Sequence, residues 1–423
     1  MPGHKGMLNE LDVTEVPGTD NLHSPAGAIL ESETLCAKAL GGRDAFFVVN
    51  GSTACNMSML FLAGFGKRVL LGRSCHKSAI NAIALSGQET VPIFPNDDGI
   101  YTSESIEKAL SETPCDAVFI TSPSYRGTVS PIEEIASICK KHGAMLIVDS
   151  AHGAHFAFSD RLPPIPSQAD LWCISSHKTL AALTQTAVLL TGESFTASRS
   201  SVQRILNVVQ STSPSYELML SIEKSILDPL DWDKHIDRIE GVIERLEKLE
   251  GIKVLCSRDK KLQDITRLNI SAAGLTGHKF GYELEQRGVY PEMADAECIT
   301  LITTPSDKDE WYDMLIDAIE SLGLDERNRI SVPSSSSIYS EYMGETVMNV
   351  RDALTGSMEY VDFADAEGRV SAQAVGCYPP GSAILFPGER ILPRAVRFLL
   401  HEEKCGADLF GLIDRKIAVV KER

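Results

Sequence analysis

The chain has 423 residues, 43% hydrophobic and 23% charged: enough apolar content for a sizeable core shared between two or three folding units, and too much for a disordered chain. A formal net charge of −18 repels nucleic-acid phosphates and anionic lipid, and no local basic patch offsets it, so neither nucleic acid nor membrane is expected as a partner. No apolar run reaches the roughly 18 to 20 residues of a membrane span, and Met1-Pro-Gly-His-Lys-Gly6 lacks the apolar stretch of a secretory signal, so a cytoplasmic location is expected.

Residues 1–27 mix Pro2, Pro17 and Pro25 with glycine and aspartate, which breaks any helical period and reads as an extended arm. From Ala28 to Leu40 the spacing of Ile29, Leu35, Ala39 and Leu40 suits an amphipathic helix that ends at Gly41-Gly42. Ala45 to Thr53 is an apolar strand that breaks at Asn50-Gly51 and opens a helix over Ala54–Leu62. Free N–H groups and the helix dipole meet there, making Gly51, Ser52 and Thr53 candidate phosphate holders, although serine and threonine are also ordinary helix caps. Val69 to Ser78 repeats the pattern, with His76 ahead of a helix over Ala79–Ser86. Its flat imidazole could lie on a cofactor ring or simply cap the helix.

A strand at Val91–Pro95, a helix from Ser103 to Leu110 capped by Ser103, a strand from Asp116 and a helix from Ile132 to His142 continue the alternation. Met145-Leu-Ile-Val-Asp149 ends in an acid, and Leu171-Trp-Cys-Ile174 runs into Ser175-Ser-His-Lys-Thr179. Strands separated by helices of ten to fifteen residues give a mainly parallel sheet with ligands at the carboxyl ends of the strands. All the polar clusters above fall at such ends. A strand ending in an acid beside one ending in a lysine suits pyridoxal 5'-phosphate: Lys178 to attach the cofactor, Asp149 to keep its ring nitrogen protonated.

Ala187–Thr191 is a further strand, and the segment from Ile205 to Tyr216 leads into a helical stretch that runs, with breaks, to about Glu250. Beyond Gly251 short strands alternate with helices, one capped by Thr276 and one over Asp309–Leu322, as in a smaller α/β unit. Residues 324–340 read as an exposed connection. The last segment has short apolar strands between Pro/Gly turns, with Glu389 at the end of one, and a helix from Pro393 to Lys404. Glu389 is either functional or a surface turn residue. The expected division is an arm at 1–27, a cofactor-binding domain at 28–240, a small α/β domain at 241–325 and a C-terminal segment at 326–423. Ten cysteines without a Cys-x-x-Cys read as buried free thiols. His152 and His155 stand three apart, but nothing completes a ligand set, so no metal is expected. There is no internal repeat, no Gly-x-Gly-x-x-Gly and no Gly-x-Ser-x-Gly.

Taken together, Pro2-Gly-His-Lys-Gly6, Asp20-Asn-Leu-His23, Asn50-Gly-Ser-Thr53, Arg73-Ser-Cys-His-Lys-Ser78, Pro123-Ser-Tyr-Arg-Gly127, Asp149-Ser-Ala-His-Gly153, Ser175-Ser-His-Lys-Thr179, Ser211-Thr-Ser-Pro-Ser-Tyr216, Tyr378-Pro-Pro-Gly381 and Pro387-Gly-Glu389 resemble the Orn/Lys/Arg decarboxylase family. The resemblance covers nearly the whole chain in order. It implies a fold type I, aspartate-aminotransferase-like large domain with a smaller α/β C-terminal region. The implied activity is decarboxylation of arginine, lysine or ornithine to agmatine or a diamine, with a place in polyamine metabolism.

The same resemblance implies roles for residues. Ser52, Thr53, Ser175 and His177 would hold the phosphate, with His76 and Ala151 on the two ring faces. Lys178 and Asp149 would act on the cofactor, and His152 near the α-carboxylate. His152 or Lys178 would protonate the product. Glu389 and Glu292 would be partners for the substrate's distal cation. A homodimer with its active site at the interface is implied, with His4, Lys5, Ser211 and Thr212 approaching the partner's cofactor. The chain resembles the family's short members, without an N-terminal wing domain, and it starts almost at the Gly-His-Lys motif. Two other readings stand beside this one. An aminotransferase or other lyase of the same fold is disfavoured by the absence of an evident arginine motif for an α-carboxylate. A non-catalytic regulatory homologue is disfavoured by the intact Lys178, Asp149 and His76.

Overall fold

A computed structural model describes residues 2–16, 18–255, 262–329, 338–378 and 381–421. In chain order come α1 (Ala28–Ala39), β1 (Asp44–Val48), α2 (Gly51–Leu62), β2 (Arg68–Gly72), α3 (Lys77–Ser86), β3 (Glu89–Ile93), α4 (Ser103–Glu112), β4 (Ala117–Thr121), α5 (Ile132–His142), β5 (Met145–Asp149), β6 (Leu171–Ile174), the short α6 (Ser176–Thr179) and β7 (Ala187–Thr191). These strands form one sheet in the order β1-β7-β6-β5-β4-β2-β3. β7 is antiparallel to both its neighbours, and the other pairings are parallel. β1, β2, β4, β5 and β6 therefore run the same way and open their carboxyl ends along one edge, where a doubly wound sheet binds ligands.

Both sheet faces are buried. Phe47, Leu146, Val148, Trp172 and Leu190 project to one side, and Phe46, Val48, Ile147, Cys173 and Leu189 to the other. A strand covered on both faces has no solvent side, so Met145-Leu-Ile-Val148 reads as an unbroken apolar run. After β7 come α7 (Arg199–Val209), α8 (Tyr216–Leu227) and α9 (Trp232–Leu246). α1, α4, α5 and α8 pack on the first face, and α2, α3 and α7 on the second.

A second, antiparallel sheet follows. It is built from β8 (Ile252–Val254), β9 (Arg267–Ala272), β10 (Met293–Ala294) and β11 (Ile299–Ile302), with α10 (Gly277–Glu285) and α11 (Asp309–Glu320). The C-terminal segment holds α12 (Ile338–Tyr342), α13 (Val350–Thr355), β12 (Met358–Asp362), β13 (Val375–Tyr378), β14 (Ala383–Leu385), α14 (Pro393–Lys404), β15 (Asp408–Phe410) and β16 (Lys416–Val420). A small apolar core of its own contains Phe363, Leu385, Ile391, Leu399 and Ile417.

Most expected elements lie within a few residues of their positions, and the departures have local causes. Thr102, not Ser103, caps α4, since its side chain accepts from the Ser105 N–H. α2 begins at Gly51, before the expected Ala54, because Gly51 takes φ +70°, a turn only glycine makes easily. The helical stretch expected after Tyr216 is α8 and α9, broken around Pro229, and α7 forms a further helix ahead of it. Thr276 caps α10 as expected. The expected domain boundary at residue 240 falls inside α9. Trp232 and Ile236 of that helix belong to the main core, and Ile239, Val242, Ile243 and Leu246 to the second.

The expected arm loses Met1 and Pro17 from description, whereas much of the expected connection over 324–340, Pro379 and Pro380 of the Tyr378–Gly381 motif, and Cys256 lie outside the described residues. The nine described cysteines are free, most of them buried. Among the described residues no helix is long and apolar enough to cross a membrane, and no cluster of His, Cys, Asp or Glu is arranged to hold a metal ion.

Because one helix completes two cores, shortening its buried side chains should weaken the whole molecule. Ile239 is fully buried. Ile239→Ala is expected to cost about 2–5 kcal/mol in urea unfolding, as other buried aliphatic truncations do, against under about 0.5 kcal/mol for the exposed Glu244→Ala on the same helix.

Candidate active site

The site assembles at the carboxyl edge of the main sheet. At the end of β1, the Gly51 N–H donates to the Gln185 carbonyl at 2.8 Å. Asn50, which precedes α2, makes no side-chain cap; its Oδ1 accepts instead from the Ser211 N–H at 3.0 Å. The first-turn N–H groups of α2 are thereby left without a capping side chain, as an anion site requires. Ser175, at the end of β6, donates through Oγ to Ser52 Oγ at 2.8 Å, which brings two predicted phosphate ligands together. Thr53 is exposed on the same turn. His177 is turned by a bond between its Nδ1 and the Thr186 carbonyl at 2.8 Å, and burial lowers its pKa.

Asp149 is 3% exposed and closes β5 one strand from β6, opposite Cys173 in register. Asn56 Nδ2 donates to Asp149 Oδ2 at 2.7 Å and to Ser78 Oγ at 3.1 Å; the Ala151 N–H donates to Asp149 Oδ1 at 3.1 Å. Ser78 in turn faces His76, whose Nδ1 accepts from the Ser78 N–H at 3.2 Å. His76 is thus the cap of α3, one of its two open readings. Burial lowers its pKa, while the nearby Asp149 charge raises it.

The lysine stands across from a histidine. Lys178 Nζ lies 2.9 Å from His152 Nε2. Burial holds the Lys178 amine below its ordinary value, with Asp149 and Glu292 opposing and Arg267 adding to the shift. His152 is pushed well below the ordinary histidine value by burial, then by the charges of Lys178 and Arg267. Tyr125 meets the His152 ring edge-on, with centroids 4.7 Å apart, and its hydroxyl donates to the Glu292 carboxylate. Burial raises the Tyr125 pKa, and the Glu292 charge raises it further.

Two predicted ligands of the distal cation part ways. Glu292 is an exposed carboxylate held by Tyr125, and its field reaches Lys178. Glu389 is buried and bound to Arg73: Oε1 accepts from Nη1 at 2.7 Å, and Oε2 accepts from the Phe386 N–H at 3.0 Å. It is neither a surface turn residue nor a free ligand, because an arginine that deep must keep its counter-charge. His4 bonds to Asp12 at 2.8 Å and accepts from the Gly6 N–H, which closes it within the arm, while Lys5 is exposed. Neither reaches Lys178 within this chain.

Three residues of the site went unassigned in the sequence reading. Asn56 follows Ser52 by four, and so shares its helix face. Tyr125 lies inside a quoted motif but had no role. Arg267 is the one charged side chain of β9, whose six residues are all buried. Its Nη2 donates to both Nδ1 and the carbonyl of His152, each at 3.3 Å. Its Nε and Nη1 are enclosed and have no hydrogen-bond partner among the described residues.

These groups fit pyridoxal phosphate by their chemistry. The phosphate would meet the uncapped start of α2 with Ser52 and Ser175; a pyridinium would meet Asp149, whose buried carboxylate already accepts from Asn56 and Ala151; and the aldehyde would meet the Lys178 amine.

The chain is similar to known proteins over most of its length. The family model described as Orn/Lys/Arg decarboxylase, major domain, matches residues 6–249, and the Orn/Lys/Arg decarboxylase, C-terminal domain, matches residues 335–414. An arginine decarboxylase of Bacillus subtilis (strain 168) is 30% identical over 463 residues, covering 100% of this chain and 94% of its own length. An arginine decarboxylase of Halalkalibacterium halodurans is 30% identical over 438 residues, covering 97% and 89%. The solved structure of the E. coli constitutive lysine decarboxylase has a TM-score of 0.83 at 17% identity, over 100% of this chain and 79% of that one, a likeness of fold.

The lysine's environment sets a stability test. An unfolded lysine keeps its proton up to about its ordinary 10.5, whereas the folded Lys178 loses it earlier. Between those two values the unfolded chain binds more protons, so stability rises with pH. Lys178→Met removes the burial cost. In the cofactor-free chain it is expected to be more stable than the parent at neutral pH, with an advantage in urea unfolding that shrinks as pH climbs toward 10.5.

Proposed function

The chain belongs to the Orn/Lys/Arg decarboxylase family, and on that premise we propose that its substrate is arginine, which it converts to agmatine and carbon dioxide. The enzyme class, a pyridoxal-phosphate-dependent decarboxylase of basic amino acids, follows from the family. The choice of arginine is supported by the two relatives named arginine decarboxylase that span almost all of this chain. The observation that carries the chemistry is the buried Lys178 amine at the end of β6, beside Asp149 at the end of β5 and 2.9 Å from His152.

Bound pyridoxal phosphate supplies an aldehyde for the substrate amine and a protonated ring that takes up the electron pair left when carbon dioxide departs. The protein's part is placement and protons. Asp149, fixed by Asn56 and Ala151, would keep the ring nitrogen protonated. Ser52, Thr53, Ser175 and His177 would hold the phosphate, with Gly51 letting α2 start at that point, and His76 and Ala151 would flank the ring. Burial lowers the Lys178 pKa, which favours the free, nucleophilic form of the amine. Glu292, steadied by Tyr125, faces the distal guanidinium.

The proposal includes a homodimer whose interface takes in the arm. Met7, Leu8 and Leu11 are more than half exposed there. Behind them the chain is pinned, since Asp20 accepts from the N–H groups of Ala26, Gly27 and Ile29, and His23 bonds to the Ser211 carbonyl at 2.7 Å. Light scattering should give twice the 46.0 kDa chain mass. A fully active species at the single-chain mass would remove the dimer from the proposal.

Release of carbon dioxide from arginine, lysine and ornithine, measured side by side, tests the substrate. Arginine should give the highest kcat/KM, Lys178→Ala should abolish turnover, and Glu292→Gln should raise KM about tenfold or more by removing a charge-assisted contact. Equal or faster release from lysine would overturn the choice of arginine. Amino transfer to a keto acid without carbon dioxide release would overturn the reaction type.

A further inference from the structure

Arg267 holds no position in the chemistry described so far, yet it is fully buried on β9 and touches His152 twice through one nitrogen. Its stem cannot swing away easily. A Cβ built on Gly127, which takes φ +90°, would stand 2.7 Å from Arg267 Cγ and 3.0 Å from its Cβ, so the stem lies directly on that glycine. Asp264, three residues earlier and also buried, keeps a negative charge near the guanidinium, and is itself held by His155 at 3.0 Å and by the Thr266 hydroxyl at 2.7 Å.

A guanidinium carries five N–H donors and no acceptor. Where its Nη2 meets His152 Nδ1, that ring nitrogen must therefore present its lone pair. In a neutral imidazole the single ring proton then sits on Nε2, the atom that faces Lys178 Nζ at 2.9 Å. An N–H can only donate, so the amine must accept, and an amine accepts only when it is unprotonated. We propose that Arg267 is a positioning residue that fixes His152 in the tautomer protonated at Nε2, and through that tautomer holds Lys178 as the free base.

The opposite arrangement shows what the arginine contributes. A backbone carbonyl or carboxylate at Nδ1 would draw the proton there and leave Nε2 with a lone pair, which would accept from an ammonium and favour the charged lysine. A donor-only group at Nδ1 inverts that preference. A cationic His152 would aim N–H groups at both Arg267 and Lys178, and burial between two basic groups opposes it. The inference deepens the proposed function in one respect: it rests on Lys178 being the reactive amine. It does not depend on which amino acid is the substrate.

The test reads the tautomer itself. The full chain, labelled with 15N-histidine and freed of cofactor, is examined by long-range proton–nitrogen correlation, and His152 is assigned by the loss of its signals in His152→Gln. The expected spectrum has an unprotonated Nδ1 and a protonated Nε2. Arg267→Lys, which also offers only donors, should keep that pattern, and Arg267→Met should move Nδ1 toward a mixture of the two tautomers. A protonated Nδ1 in the parent chain would overturn the proposal, as would an unchanged Nε2–H pattern in Arg267→Met. If the methionine variant does not fold, the parent and Arg267→Lys decide: loss of the pattern in the lysine variant overturns it. Failure of the arginine assay would leave this outcome untouched, since the spectrum requires neither substrate nor turnover.

Discussion

A lysine removed from water must either find a counter-charge or hold its proton less tightly, and burial moves the Lys178 amine in the second direction. The strongest opposing influence, Asp149, is engaged by Asn56 and Ala151, and the amine meets a histidine nitrogen at 2.9 Å. Burial is the larger influence and lowers the pKa of the amine. The rest of the site serves that condition. β6 delivers the lysine at the sheet edge, β5 brings the acid one strand away, and β9 of the second sheet closes the back with Arg267. No single element makes the environment; it exists because two sheets meet over the strand ends.

That meeting depends on how the units are joined. α9 lends Trp232 to one core and Leu246 to the next, so the second sheet is carried rigidly to the edge of the first. The C-terminal segment is anchored by Arg73, which leaves the end of β2, places its guanidinium 3.5 Å above the Phe386 ring and pairs with Glu389. A second buried contact, His278 to Glu402 at 3.0 Å, ties α14 to α10. Buried ion pairs contribute little net stability against an apolar replacement, but they penalise any arrangement that separates them. Here they hold three units in one relation, which a site built between units requires.

What the sequence disclosed follows the range of the interactions involved. Asn50-Gly51-Ser52, Asp149 and Ser175-Ser-His-Lys178 are strand-end features written in consecutive residues, and each lies where its local pattern placed it. Asn56 was within reach, since a polar residue four positions after Ser52 on an apolar helix shares its face. Arg267 was not. Its partner His152 is 115 residues earlier, and a lone arginine in a short strand looks the same whether it meets solvent or a buried histidine. Glu389 failed for the same reason in reverse: its motif sits at a turn, but the carboxylate meets an arginine 316 residues away.

Glu389 and Glu292 also show how to separate a structural carboxylate from one that can receive a ligand. Both follow an apolar stretch and a proline, and composition cannot rank them. Glu389 has its oxygens filled by Arg73 and a backbone N–H inside the protein, so bringing a substrate cation there would mean uncovering a buried arginine. Glu292 is exposed, and the neutral phenol of Tyr125 orients it without cancelling its charge. A carboxylate so held can still receive a cation. Tyr125 also lies edge-on against His152, so one side chain touches both the histidine beside Lys178 and the Glu292 carboxylate.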